Sequence, residues 1–369
     1  MAHLIRILSI FFVFFYFQFF PQQPAEAPSR MPEPFYEVIG VPNGHTPKQL
    51  RAQLDSYIKR SGYTAESTPV IVGVPQLASL PAYTPLPFYQ PDFLTYVMDP
   101  TGNVRFFDLS CICEDNAEMT YIKQKIARQR LQLEQLLLIR SALYHYYTAN
   151  KTLPEKLDGL AAAFPYNYVS RIPFAASAHG TAAPTLSDAD VIYRPEHFRP
   201  GDPWQSMRDV LYIDRAVEQT PRLQPVTIVI YQSSFRMMVQ SGPYTIRSYR
   251  IGLGAEQRTP TGTYTIKQKV SNPVSESRVY GTRGLVLDDT AYAIHGTNDL
   301  NSIGKAVSKG CIRLANPDVE ELFSMVPLGT KVSIQAGAAP GLQQPNAPPF
   351  LLAPRINEEN PHHVYHWKQ

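Results

Sequence analysis

The chain is 369 residues long, carries a formal net charge of +3 and has 18% charged residues; that length accommodates two or three domains. With no basic block and no basic stripe interleaved with aromatics, it lacks the footprint of a nucleic-acid-binding protein; the small excess of Lys and Arg fits at most a weak attraction to an anionic surface. Cysteine is sparse, at three. Cys111 and Cys113 are separated only by Ile112, a spacing that would strain a disulfide, so they read as a reduced pair on one face of a short strand.

In chain order, residues 1–6 are a short basic start and residues 7–20 an almost wholly apolar run. At 14 residues the run is too short for a comfortable membrane span. It reads as a secretory signal, with Ala25-Glu26-Ala27 as an A-x-A cleavage pattern. Pro28 directly after that pattern is a poor residue for the peptidase. Residues 1–27 are therefore a signal peptide or an uncleaved N-terminal anchor, and a membrane contact is expected through this segment alone.

Residues 32–221 read as an accessory region. Thr46 is a helix N-cap with Pro47 in the first turn, Leu50, Leu54 and Ile58 form one apolar face, and Gly62 ends the helix. Residues 97–109 place Asp99-Pro100-Thr101-Gly102-Asn103 between apolar runs and predict a hairpin. A long helix is expected over 116–149, with Ile122, Ile126, Leu133, Leu137 and Tyr144 at helical spacing and Lys123, Lys125, Arg128, Arg130 and Glu134 on other positions. Leu157, Leu160 and Phe164 suggest a second, short helix. Tyr144, Tyr146, Tyr147, Phe164, Tyr166 and Tyr168 form an aromatic cluster, read as core in preference to a glycan-stacking surface. The region could face wall glycan or a protein partner; no sequence feature chooses between them.

Over 222–336 the pattern turns to short strands rich in β-branched and aromatic residues: 226–231, 235–239, 248–253, 264–269, 284–287, 291–294 and 331–334. One helix is expected at 318–325, with Pro317 at its start. The fold class is α+β overall, with a mainly-β sandwich or barrel here, preceded by the helix-containing accessory region. Residues 337–369 are rich in Gly, Ala, Gln and Pro and are expected to be a disordered tail. His362, His363 and His366 could hold a metal, but an exposed polar tail is the favoured reading.

Chemistry concentrates in two motifs. Ile294-His295-Gly296-Thr297 is followed by Ser308-Lys309-Gly310-Cys311-Ile312-Arg313, and His295 and Cys311 are the one histidine and the one cysteine between residues 198 and 361. A thiol of ordinary pKa is only a few per cent thiolate at neutral pH, and an imidazole is the partner that activates it. Gly296 and Gly310 let backbone N–H groups approach a developing oxyanion. A zinc site is disfavoured, because two ligands do not complete a tetrahedral set. No metal and no cofactor are expected.

These motifs, together with Thr259-Pro260-Thr261-Gly262-Thr263-Tyr264, Gly281-Thr282-Arg283-Gly284, Ser302-Ile303-Gly304, Asn316-Pro317-Asp318-Val319 and Leu328-Gly329-Thr330-Lys331-Val332, resemble the L,D-transpeptidase (YkuD-like) catalytic domain over residues 222–336. The resemblance implies Cys311 as nucleophile, His295 as general base oriented by the Gly296 carbonyl, and Arg313 shaping the site or pairing with a substrate carboxylate. It places Ser308 and the N–H groups of Gly310 and Cys311 where an oxyanion develops. Lys309 stands where many members have a second histidine. The implied function is an exported enzyme of the cell wall, the periplasm or the outer face of the membrane of a bacterium. Its cysteine would form a thioester with a peptidoglycan stem peptide and pass it to an amine; with water as acceptor it is an L,D-carboxypeptidase. A catalytically silent wall-binding module is the alternative from another class.

Overall fold

The computed structural model describes residues 36–42, 46–61, 70–76, 84–85, 94–98, 103–108, 117–173, 191–213, 223–340 apart from 243, 278 and 290, and 348–368. The signal or anchor segment and the Cys111/Cys113 pair lie outside the described residues. Among those residues no helix is long and apolar enough to cross a membrane.

The N-terminal part opens with β1 (Tyr36–Pro42), α1 (Pro47–Ser61) and β2 (Val70–Gln76), followed by β3 (Thr84–Pro85), β4 (Leu94–Met98) and β5 (Val104–Asp108). The Thr46 hydroxyl accepts from Gln49 N–H at 3.3 Å and the Gln49 side chain accepts from Thr46 N–H at 3.0 Å. That reciprocal pair satisfies two otherwise unpaired donors at the start of α1. β1, β2, β4 and β5 form one sheet, in which β4 and β5 are the hairpin expected over 97–109.

The long helix α2 (Ala117–Asn150) follows. Leu133 and Leu137 are buried as their spacing requires, but Leu136, Leu138, Ile139, Ala142 and Leu143 are buried too, so the C-terminal half is enclosed nearly all round. Glu134, expected on the polar face, is buried and pairs with Arg247 at 2.8 Å. Arg140 donates to the Leu211 carbonyl from Nε and Nη2, at 2.9 and 2.6 Å. The helix was expected to pack an accessory region of its own. Its leucines instead share one core with strands beyond residue 222, and residues 36–369 form a single compact unit. The expected boundary at 221/222 lies outside the described residues. Of the aromatic cluster, Tyr146 packs on Tyr168 and Tyr144 on Trp204, whereas Tyr166 is 70% exposed.

β6 (Val191–Tyr193), α3 (Met207–Val210) and β7 (Leu211–Ile213) bridge to the C-terminal part, where β6 and β7 pair antiparallel. There follow β8 (Val226–Tyr231), β9 (Arg236–Ser241), β10 (Tyr244–Arg250), β11 (Leu253–Gly254), β12 (Gly262–Ser271), β13 (Arg283–Leu287), β14 (Ala293–Thr297), β15 (Ala306–Ser308), β16 (Ile312–Ala315), α4 (Asn316–Met325) and β17 (Lys331–Gln335). The main sheet runs β16-β14-β13-β12-β17-β8-β9-β10-β3. Just after β10, Gly252 exchanges two backbone hydrogen bonds with Arg313 of β16, at 2.8 and 2.9 Å. The two ends of the sheet thus meet, and the mainly-β domain is nearly closed.

The expectation of disorder from residue 337 onward fails over 348–368. Phe350, Glu358, Tyr365 and Trp367 are buried. Phe350 N–H donates to Glu321 Oε1 at 2.9 Å, Leu352 N–H to Ser324 Oγ at 3.0 Å, and Phe164 N–H to the Asn357 carbonyl at 2.8 Å. Composition misled because this order comes from docking onto the body, where long-range contacts override local preference.

Candidate active site

β14 and β16 are parallel neighbours, with Ile294 opposite Ile312 and His295 opposite Arg313. Side chains alternate between the faces of a sheet, so this register puts Ile294, Ile312 and Leu314 on one face and Ala293, His295, Arg313 and the preceding Cys311 toward the other. The first three belong to the main core. Cys311 and Ala293 belong to a separate small cluster with Val270, Tyr280, Val286, Tyr365 and Trp367. Residues 16 apart in the chain are thereby brought onto the same face of two neighbouring strands.

The turn between β15 and β16 that carries Cys311 is held by hydroxyls. Ser308 Oγ donates to the Cys311 carbonyl at 2.8 Å and accepts from Gly310 N–H at 3.1 Å. Ser308 and the Gly310 N–H, expected to face an oxyanion, are thus spent inside the turn. The Cys311 N–H is the backbone donor directed away from it. Gly310 has φ +146°, and a Cβ there would come within 2.8 Å of the Tyr292 ring; only glycine fits. Thr259 Oγ1 donates to the Gly310 carbonyl and accepts from Gly254 N–H, both at 2.8 Å, bracing the turn from the other side. Lys309 is exposed.

His295 is fully buried, and its Nδ1 lies 2.7 Å from the Gly296 carbonyl. A carbonyl can only accept, so in the neutral ring Nδ1 carries the proton and Nε2 the lone pair. Nε2 has no hydrogen-bond partner among the described residues. The Tyr280 ring meets the imidazole edge-on at 5.0 Å and Trp367 stacks on it at 6.0 Å. Burial pushes the imidazole pKa down to about 4; the Gly296 hydrogen bond opposes the shift and the Arg313 charge adds to it. The Cys311 thiol is 4.0 Å from the Ala291 carbonyl. Burial pushes it up to about 12, against a backbone hydrogen bond at Ala293 and the positive charges of Arg313 and Lys368. In this arrangement the pair is neutral, thiol and imidazole. Arg313 is mostly buried, with Nη1 3.9 Å from Asp299.

Sequence reasoning missed Thr259 as a brace, Tyr280 and Tyr292 as walls, and residues 365–368 as part of the site. The alternation of buried Tyr365 and Trp367 with exposed His366 and Lys368 was the available signal. Among the described residues no cluster of three or more His, Cys, Asp or Glu could hold a metal.

Residues 225–334 match the family model described as YkuD, L,D-transpeptidase catalytic domain. A Bacillus licheniformis protein bearing the name L,D-transpeptidase YkuD is 38% identical over 117 residues, 31% of this chain and 69% of its own length. Its Bacillus subtilis namesake is 48% identical over 90 residues, 24% of this chain and 53% of that protein. A solved L,D-transpeptidase from Mycobacterium smegmatis aligns at 23% identity over 30% of this chain and 58% of that one, with a TM-score of 0.28. By its sequence, the chain belongs to the YkuD family of L,D-transpeptidases.

Proposed function

We propose that the chain is an exported cysteine L,D-transpeptidase acting on peptidoglycan stem peptides. The observation that carries this reading is the buried imidazole with its proton fixed on Nδ1, on the same sheet face as Cys311. His295 Nε2 takes the thiol proton as sulfur attacks the carbonyl between an L-centre and a terminal D-residue. The Cys311 N–H donates to the oxygen as it becomes negative. The tetrahedral adduct collapses to a thioester, and the expelled D-amino acid leaves with the proton returned by His295. An acceptor amine then attacks the thioester, its proton passes to His295, and the thiol is regenerated. With an amine acceptor the product is a cross-link; with water it is a trimmed stem peptide.

Arg313 stands beside the nucleophile on this face, where it suits a substrate carboxylate. The basic start and apolar run of residues 1–20 support export. The experiment is incubation of the protein with a stem tetrapeptide and a diamino-acid acceptor, read by mass spectrometry. Release of the D-residue with a thioester mass on the wild type, and neither with Cys311→Ala, is expected. D-residue release by Cys311→Ala would sink the mechanism. No turnover by a folded wild type with an accessible thiol would leave the silent wall-binding module.

A further inference from the structure

The groove in front of Cys311 is filled by the protein itself. Residues 360–368 cross the outer face of β12, β13 and β14. Val274 and Val364 form a parallel bridge, and Tyr365 N–H donates to the Val274 carbonyl at 2.8 Å. Trp367 packs on Tyr280 at 4.4 Å and Tyr365 at 4.7 Å, and Tyr280 Oη donates to its carbonyl at 3.1 Å. The Trp367 ring lies directly over Gly284, where any Cβ would collide with it. Lys368 N–H donates to the Ala291 carbonyl at 2.9 Å. The Lys368 carbonyl accepts from the Cys311 N–H at 2.6 Å.

That last bond is the informative one. A peptide carbonyl sits on the Cys311 N–H, a backbone donor that the Ser308 hydroxyl does not engage, where a carbonyl under attack must place its oxygen. The residue presenting it is an L-amino acid whose amine donates to Tyr292 Oη at 2.8 Å. Leading up to that carbonyl, the Tyr365 and Lys368 N–H groups donate to the Val274 and Ala291 carbonyls and lay the segment along the sheet like a bound peptide.

We infer that residues 360–368 are a built-in pseudosubstrate, which occupies the acyl-donor groove and must be displaced before Cys311 can react. The naming of the groove as the acyl-donor site rests on the proposed function; the blockade of the thiol does not. The Lys368–Gln369 bond joins two L-residues, so an enzyme that cuts before a D-residue holds the segment without consuming it. Burial beneath it also leaves the thiol protonated and the imidazole neutral, a resting pair. The segment is tethered by residues 348–359, so it can swing out without loss of the contacts that Phe350 and Glu358 make.

The test is the alkylation rate of Cys311 by iodoacetamide at pH 8, in a Cys111→Ser/Cys113→Ser background that leaves one thiol. The full chain should react at least tenfold more slowly than N-acetylcysteine; an equal rate overturns the proposal without any further variant. Lys368→Pro removes the N–H that bonds Ala291 together with the amine that bonds Tyr292 Oη, and a chain ending at Asn360 removes all of the segment but its first residue. Both should react at least tenfold faster than the full chain, and a synthetic peptide of residues 360–369 should slow the shortened chain again. Unchanged rates in folded variants overturn the blockade. Stem-peptide turnover, assayed on the same proteins, separates the two readings. A thiol that opens without turnover leaves the blockade standing and removes the transpeptidase; turnover by the full chain as fast as by the shortened one does the reverse.

Discussion

The Cys311 turn at 308–311 and the segment at 360–368 that lies on it occupy the same few ångströms and are built in opposite ways. In the turn, Ser308 and Thr259 satisfy the backbone, and Gly310 adopts a conformation that other residues resist. The covering segment relies on two aromatic side chains and a few backbone bonds. Burying two such rings is worth about 10 kcal/mol and three backbone hydrogen bonds about 3. Ordering some nine residues costs about 13 kcal/mol at roughly 1.5 each. The cover is thus close to balance with its open form, whereas the turn is held by the body of the domain. One is made to stay and the other to leave.

Substitutions can break this contrast, beginning with the largest effect. Cys311→Ala should abolish acylation by a carbapenem, seen as a missing adduct in intact-mass spectrometry, while the melting profile stays cooperative. An adduct on that variant would show a nucleophile elsewhere. Glu321→Ala leaves Arg247 with one fewer buried carboxylate partner and takes the acceptor from Phe350 N–H. A loss of about 3–5 kcal/mol in urea unfolding is expected; a loss under 1 kcal/mol would mean that the anchor of the covering segment is not in this network.

Acid should act next. His145 and His295 are both buried with pKa values near 4, so between pH 6.5 and 4 the unfolded chain binds protons that the native chain refuses. Stability should therefore fall as pH drops through that window, by up to about 3 kcal/mol per histidine. In a chain ending at Asn360, water reaches His295, and mainly the His145 share should remain. Equal pH slopes for the two chains would contradict the comparison. Thr259→Val should cost about 1–2 kcal/mol and slow acylation, because Gly310 O and Gly254 N–H each lose a buried partner. At the small end, Cys111→Ser with Cys113→Ser should leave acylation unchanged; a large loss with the fold intact would give that pair a role.

What could be read in advance follows the range of the forces involved. Strands with β-branched runs, the capped helix at Thr46 and the helix at 316–325 carry local signals, and all were legible. Cys311 and His295 stood out because each sits in a glycine-containing motif. Illegible were the features set by partners distant in the chain. Glu134 looks like a surface residue until Arg247, more than a hundred positions later, arrives beside it. Residues 348–368 are proline-rich and look disordered, yet Phe350, Tyr365 and Trp367 find waiting surfaces. The turn hydroxyls lay in plain view, but their directions depend on the φ of Gly310, which no pattern announces.

The chain has two tryptophans, and one of them is Trp367. Packed against Tyr280, Tyr365 and the imidazole, it is shielded from water in the covered form. Uncovering the thiol hydrates that indole, so its emission should shift to the red against the constant signal of Trp204. The protein therefore carries its own optical gauge of whether the groove over Cys311 is open, readable in real time and without a label.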